Sequence, residues 1–235
     1  MMSVGLLSRR KFLCLVGTVS AASLTGCTTD GIGSLFQPVV DVVRPRPALA
    51  QQPDPAVIYA AETDEGFSLP AIPYRQIDRR FYRQRVVDPT GEPPGTVVVD
   101  TKARFLYFVE EDGTAMRYGV SIGKDGFAWQ GEGVIQWRKK WPRWDPPDEM
   151  VARQPDLKRY SIGNGGMAPG IDNPLGARAL YIFQNGQDTL YRLHGNPNWR
   201  SIGKAQSSGC VRFINQDIID LYDRVPEQAR IVVKQ

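Results

Sequence analysis

One histidine and three cysteines supply all the imidazole and thiol chemistry in this 235-residue chain. His194 and Cys210 share a single segment, which runs from His194-Gly195-Asn196 to Ser207-Ser208-Gly209-Cys210-Val211-Arg212. A thiol attacks as its thiolate, and a neighbouring imidazole is the common means of making one. Taken alone, a cysteine is more often a small buried hydrophobe and a histidine a hydrogen-bonded structural residue. The setting favours chemistry. Small residues precede Cys210, so the backbone N–H groups of Ser208, Gly209 and Cys210 can approach a substrate carbonyl and hold its oxyanion. Thr189 to Leu193 alternates like a strand and sets His194 at its end. Zinc needs three or four ligands, more than this pair offers, so no metal and no cofactor is expected.

The other two cysteines lie at the N-terminus. Ser8-Arg9-Arg10-Lys11-Phe12-Leu13 resembles a twin-arginine export signal, and the apolar stretch from Phe12 to Leu24 is too short for the roughly 20 residues that span a bilayer. Leu24-Thr25-Gly26-Cys27 resembles a lipobox, in which the cysteine is lipidated and begins the mature chain. An ordinary cleaved signal that happens to hold a cysteine is the plainer reading. With Cys14 removed and Cys27 lipidated, Cys210 has no second cysteine for a disulfide within one chain. The expectation is a periplasmic protein, lipid-anchored to a membrane. Residues 1–26 also carry Arg9, Arg10 and Lys11 and no acid, so their loss takes the net charge from +4 to +1. Nucleic-acid binding is not implied, since no basic run or stacking motif supports it.

The elements that must position the pair are mostly strands. Residues 27–70 are rich in Pro, Ala, Gly, Asp and Gln without a sustained period and read as a flexible tether. Residues 71–95 hold Ile72, Tyr74, Ile77, Phe81 and Tyr82, too apolar for a linker, and read as a strap packed on the domain that follows. From Thr96 onward β-branched and aromatic runs are dense: 96–100, 105–109, 115–120, 179–183, 189–193 and 231–233, with turns at 111–113 and 185–188. Ile218, Leu221, Tyr222 and Val225 recur at helical spacing, with a cap at or beside Asn215 and a stop at Pro226. Residues 96–235 therefore form one mainly-β domain, large enough for a core of its own. Residues 124–178 break the pattern with Trp129, Trp137, Trp141 and Trp144, several prolines and glycines. They read as a long irregular lid over the thiol or as a plug for the core.

The His-Gly, then Ser-x-Gly-Cys-Val-Arg, arrangement resembles the L,D-transpeptidase catalytic domain, also called the YkuD domain. Thr96-Val-Val-Val-Asp100, Trp141-Pro-Arg-Trp144 and Asn173-Pro-Leu-Gly-Ala-Arg178 resemble its proteobacterial members of the ErfK, YbiS and YcfS type. The resemblance covers about residues 96–235 and implies a β-sandwich with one or two short helices. Many members carry His where this chain has Ser208, and Asn196 stands where Thr is common, so the base role falls to His194. The resemblance implies acyl transfer on peptidoglycan stem peptides: Cys210 attacks the carbonyl before a terminal D-alanine, His194 moves the proton, and an amine resolves the thioester. Another stem's diaminopimelate would give a cross-link, a lysine an anchored envelope protein, and water a carboxypeptidase. The pair could rest neutral or as thiolate and imidazolium, with one imidazole-linked ionisation near neutrality. Arg212 would bind a substrate carboxylate or pair with a structural acid; Arg178, Tyr191 and Trp144 are further candidates for the groove. A wall-binding lipoprotein without catalysis fits the lipobox and tether equally well, and a papain-like protease would place its histidine far downstream of the cysteine.

Overall fold

The computed structural model describes residues 49, 51–123, 129–207 and 209–235. The signal and lipobox, Cys27 included, lie outside the described residues. In chain order the elements are α1 (Pro55–Ile58), β1 (Glu62–Asp64), β2 (Phe67–Leu69), β3 (Gln84–Val87), β4 (Val97–Asp100), β5 (Phe105–Val109), β6 (Thr114–Gly119), β7 (Ile122–Gly123), β8 (Gly131–Lys140), α2 (Asp148–Arg153), β9 (Arg178–Gln184), β10 (Gln187–Gly195), β11 (Ala205–Ser207), β12 (Val211–Phe213), α3 (Asn215–Arg224) and β13 (Ala229–Lys234). Nine strands make one sheet in the order β12-β10-β9-β8-β13-β4-β5-β6-β3.

Val97, Val98 and Val99 explain why β4 sits mid-sheet. All three are buried, because Val97 and Val99 face the main core while Val98 faces a second cluster with Tyr107, Val109 and Ala115. A strand covered on both faces reads as a continuous apolar run. The expected sandwich is built from one sheet rolled onto itself. Ser121, just past β6, exchanges two backbone hydrogen bonds of 2.9 Å with Arg212 of β12, the strand at the opposite edge. Tyr118 and Phe213 meet across the same gap, ring centroids 6.1 Å apart.

Helix α3 closes the roll, with Ile218 and Leu221 fully buried in the main core. Its cap position falls beside Asn215 as expected, at Ile214, which makes no side-chain cap bond. Asn215 is already helical and makes no cap; its Oδ1 accepts the Ala177 N–H at 3.0 Å, a long-range bond that local sequence does not announce. The strap is docked: Phe81 and Tyr82 are buried in a cluster with Tyr59, Ile202 and Ile214. Phe81 also packs so closely against Gly119 and Gly203 that a Cβ at either glycine would overlap it.

Two expectations are corrected here. The flexible stretch 27–70 does not extend to residue 70, because α1, β1 and β2 fold within it and Tyr59 and Leu69 are buried. The irregular stretch 124–178 is interrupted by β8, a ten-residue strand between β13 and β9. The irregular remainder, 141–177, contains α2 and short 3-10 turns.

Candidate active site

β10 and β12 run parallel, in the register Leu193↔Val211 and His194↔Arg212. The parallel pairing brings the histidine strand alongside the segment that begins at Cys210. The nucleophile turn is fixed on both flanks. Ahead of it, β11 pairs in parallel with β7; behind it, Arg212 bonds to Ser121. Gly209 has φ 130°, a conformation that a side chain resists, and a Cβ there would lie 3.4 Å from Tyr191. Ser208, the expected first oxyanion donor, lies outside the described residues.

His194 is only 4% exposed. Its Nδ1 lies 2.6 Å from the Gly195 carbonyl oxygen. A carbonyl can only accept, so Nδ1 carries the proton and Nε2 holds the lone pair, the tautomer a general base requires. The carbonyl of Pro174 also favours the protonated ring, and Asn196 Nδ2 donates to the same oxygen at 3.1 Å. Burial dominates nonetheless and, with the charges of Arg212 and Arg192, pushes His194 down to about 4. The half-buried Cys210 thiol is pushed up by burial, against a backbone hydrogen bond from Arg192 and the charges of Arg192 and Arg212. Both shifts favour a neutral thiol and a neutral imidazole, so the ionisation expected near neutrality is displaced. The physical reason is that two arginines and a buried ring leave no favourable place for a resting imidazolium.

Arg212 stands near both partners and shifts the titration of each. No carboxylate among the described residues pairs with it, unlike Arg192, which is held by Asp188 at 2.6 and 2.7 Å. Of the two readings of Arg212, the paired structural acid finds no support. Tyr191 flanks Gly209, and Trp129 stacks on it with centroids 6.4 Å apart. A bulge between Asp188 and Arg192, with Leu190 at φ 63°, turns this part of β10; such irregularities re-aim side chains beside active sites.

Arg178 is corrected. It is 2% exposed and its guanidinium makes a two-pronged pair with Asp64, at 2.6 and 2.8 Å, so it serves the interior and not a groove. Trp144 bridges Met167 through its backbone and sets its ring against Tyr160, 6.2 Å away, within the irregular segment. Trp141 is the tryptophan that plugs the core: it is buried, stacked on Phe67 and bonded to Asp64. Trp137 lies on the sheet surface against Phe183. A cleft of about 610 Å³ opens between the β1–β2 hairpin and residues 167–173, and neither His194 nor Cys210 lines it. Sequence reasoning missed Pro174, Asn215 and Arg192. Arg192 lay in the strand that leads to His194 and Pro174 in the Asn173–Arg178 motif, but neither residue type announced its part in the site.

The family model for the L,D-transpeptidase catalytic domain, YkuD, matches residues 94–233. Curated relatives include the "Putative L,D-transpeptidase in ATP synthase subunits region ORF 5" of Fuscovulum blasticum, 33% identical over 62% of this chain and 71% of that one. Another is the probable L,D-transpeptidase ErfK/SrfK of Escherichia coli K12, 29% identical over 64% of this chain. The match spans only 47% of that relative's length. A solved chain from Brucella melitensis, described as a probable carnitine operon oxidoreductase, is 46% identical over 66% of this chain and 94% of that one. Its TM-score is 0.46.

Proposed function

The chain belongs to the L,D-transpeptidase family, and from that premise we propose that it is a cysteine-dependent cell-wall transpeptidase acting on peptidoglycan stem peptides. The observation that carries the reading is the His194 tautomer, fixed by the Gly195 carbonyl on the strand parallel to the Cys210 segment. As Cys210 Sγ attacks the carbonyl carbon before the terminal D-alanine, Nε2 of His194 takes the thiol proton. The carbonyl electrons move onto oxygen, to which the N–H groups of Ser208, Gly209 and Cys210 would donate hydrogen bonds, each such donor worth about 3 kcal/mol in related chemistry. The C–N bond breaks, the D-alanine amine takes the proton back from His194, and a thioester remains on Cys210. An acceptor amine then attacks, His194 takes its proton, and the thiol is released. Peptide-bond energy is kept in the thioester, so no ATP is needed. Arg212 offers its guanidinium to a substrate carboxylate, and Tyr191 with Trp129 walls the approach.

The same proposal places the protein in the periplasm, exported by its twin-arginine-like signal and held to a membrane through lipid on Cys27. The acceptor is a diaminopimelate of a second stem or a lysine of an envelope protein; water would make the enzyme an L,D-carboxypeptidase. The full chain is to be incubated with purified tetrapeptide muropeptides and the products weighed by mass spectrometry. The expected products are free D-alanine and a cross-linked dimer, both lost in Cys210→Ala with the fold retained. Tripeptide without dimer would assign the carboxypeptidase, and binding without turnover a wall-binding lipoprotein. Full turnover by Cys210→Ala would overturn the nucleophile assignment.

A further inference from the structure

Asp64 lies in the β1–β2 hairpin, upstream of the residues that match the family model. Both of its oxygens are engaged. Oδ1 accepts from Arg178 Nη2 at 2.8 Å; Oδ2 accepts from Arg178 Nη1 at 2.6 Å and from Trp141 Nε1 at 2.7 Å. Among the described residues, Asp64 is the carboxylate in ion-pair contact with Arg178, whose guanidinium is buried and whose Nε has no partner. A buried cation without its counter-ion is strongly disfavoured.

What Asp64 grips matters more than the pair itself. Trp141 opens the irregular segment and Arg178 ends it, so one carboxylate holds both ends of a 38-residue excursion. The closure is reinforced by the Trp141 N–H donating to the Ala177 carbonyl at 2.8 Å and by Phe67, beside Asp64 in the hairpin, stacking on Trp141 at 4.1 Å. Within the last turn of that excursion lies Pro174, whose carbonyl faces His194 and takes the Asn196 amide. Asn173 pins the turn from the other side through its amide, bonded to the carbonyls of Pro142 and Ala168. Ala177 ties it to α3 through Asn215.

We propose that Asp64 is a positioning residue for His194: an N-terminal hairpin outside the family domain sets the carbonyl cradle of the catalytic imidazole by clamping both ends of the 141–178 excursion. The inference rests on the proposed function for its kinetic arm and on geometry alone for its spectroscopic arm. His194 is the sole histidine of the chain, so its ring ¹⁵N resonances are assigned without ambiguity.

The test compares the full chain with Asp64→Asn, Asp64→Glu, Trp141→Phe and Glu65→Gln, well below each unfolding midpoint. Among the described residues Glu65 pairs with exposed Lys140 and serves as the control. Asp64→Asn is expected to shift the His194 ¹⁵N resonances and lower kcat at least tenfold with KM within about twofold. Asp64→Glu should recover most of the loss, and Glu65→Gln should match wild type. If Asp64→Asn fails to fold, Trp141→Phe, which removes one donor and leaves the ion pair, decides: a smaller change in the same direction supports the inference. Wild-type resonances and kcat in folded Asp64→Asn, or in Trp141→Phe where the former does not fold, overturn it, as does a loss of stability alone. A wild-type chain inert towards muropeptides would count against the proposed function, and the ¹⁵N shifts would still decide the role of Asp64.

Discussion

The resting state of the thiol is the most direct test of the site's electrostatics. His194 is pushed down to about 4, and Cys210 is pushed up from an ordinary 9.0. Both directions disfavour a resting thiolate–imidazolium pair. With a thiol titrating above 9, thiolate is below about 1% at pH 7. The rate of alkylation by iodoacetamide should therefore climb about tenfold per pH unit from pH 6 to 8.5. Stopped samples analysed by peptide mapping give the rate at Cys210, separate from any label on Cys14 or Cys27. His194→Gln should keep that slope, because the ring contributes no resting charge, yet lower muropeptide turnover by about 10²–10⁴-fold through loss of general base catalysis. A rate that is flat from pH 5 to 8, with an inflexion near 4, would mean a resting ion pair. It would refute the argument that burial and the two arginines exclude it.

Gly209→Ala places a Cβ on a backbone at φ 130° and 3.4 Å from Tyr191. Strain of about 1–3 kcal/mol is expected from the denaturant midpoint, with kcat/KM down at least tenfold because the turn carries the thiol; an unaltered kcat/KM would show that the turn tolerates other conformations. Asp217, buried on α3 beside Tyr59 and Arg83, is pushed up by burial to about 7. Its folded value lies above its unfolded one, so its contribution to stability grows as pH falls from 8 to 4.5, by about 3 kcal/mol. His194 has the opposite sign: the unfolded ring takes a proton that the buried ring refuses, so its contribution to stability falls over the same window. In urea unfolding, Asp217→Asn should therefore lose stability relative to wild type as pH falls from 8 to 4.5; parallel curves for the two proteins would contradict the Asp217 shift.

The catalytic pair was legible because its chemistry is written in residue types that occur once or nearly so. The strands from 96 onward and α3 were legible because their apolar residues repeat at the period of the element. What escaped has no period. Asp64 contributes through three hydrogen bonds and Phe67 through one stacked ring. Neither alters the composition of a stretch that otherwise reads as linker. β8 escaped because Ile135 is its one fully covered residue, and two glycines, Glu132, Arg138, Lys139 and Lys140 dilute the apolar pattern around it. Arg178 was misplaced because a guanidinium that binds substrate and one that meets an interior acid are the same letter, and its partner stands 114 residues earlier. Asn215 looked like a cap because caps are local, whereas its bond reaches 38 residues back.

The depressed basicity of His194 suits the second half of the reaction better than the first, and this explains why two arginines can flank it. An imidazole pushed to about 4 is a reluctant base towards the thiol. Once it has taken the proton, however, its imidazolium is a strong acid beside the leaving amine, and expelling D-alanine requires that proton. Meanwhile the charges that disfavour imidazolium favour the thiolate: Arg192 and Arg212 both act to lower Cys210. The same cations favour the negative charge that develops on the carbonyl oxygen of the tetrahedral intermediate. The site therefore stays uncharged at rest and develops charge as the thiol attacks. An arrangement of this kind depends on fixed geometry, since proton transfer must coincide with attack. That requirement accounts for the distant elements anchored around the His194–Cys210 segment: β7 and Ser121 on the nucleophile turn, Pro174 on the ring, and α3 against Gly195 and Ala177.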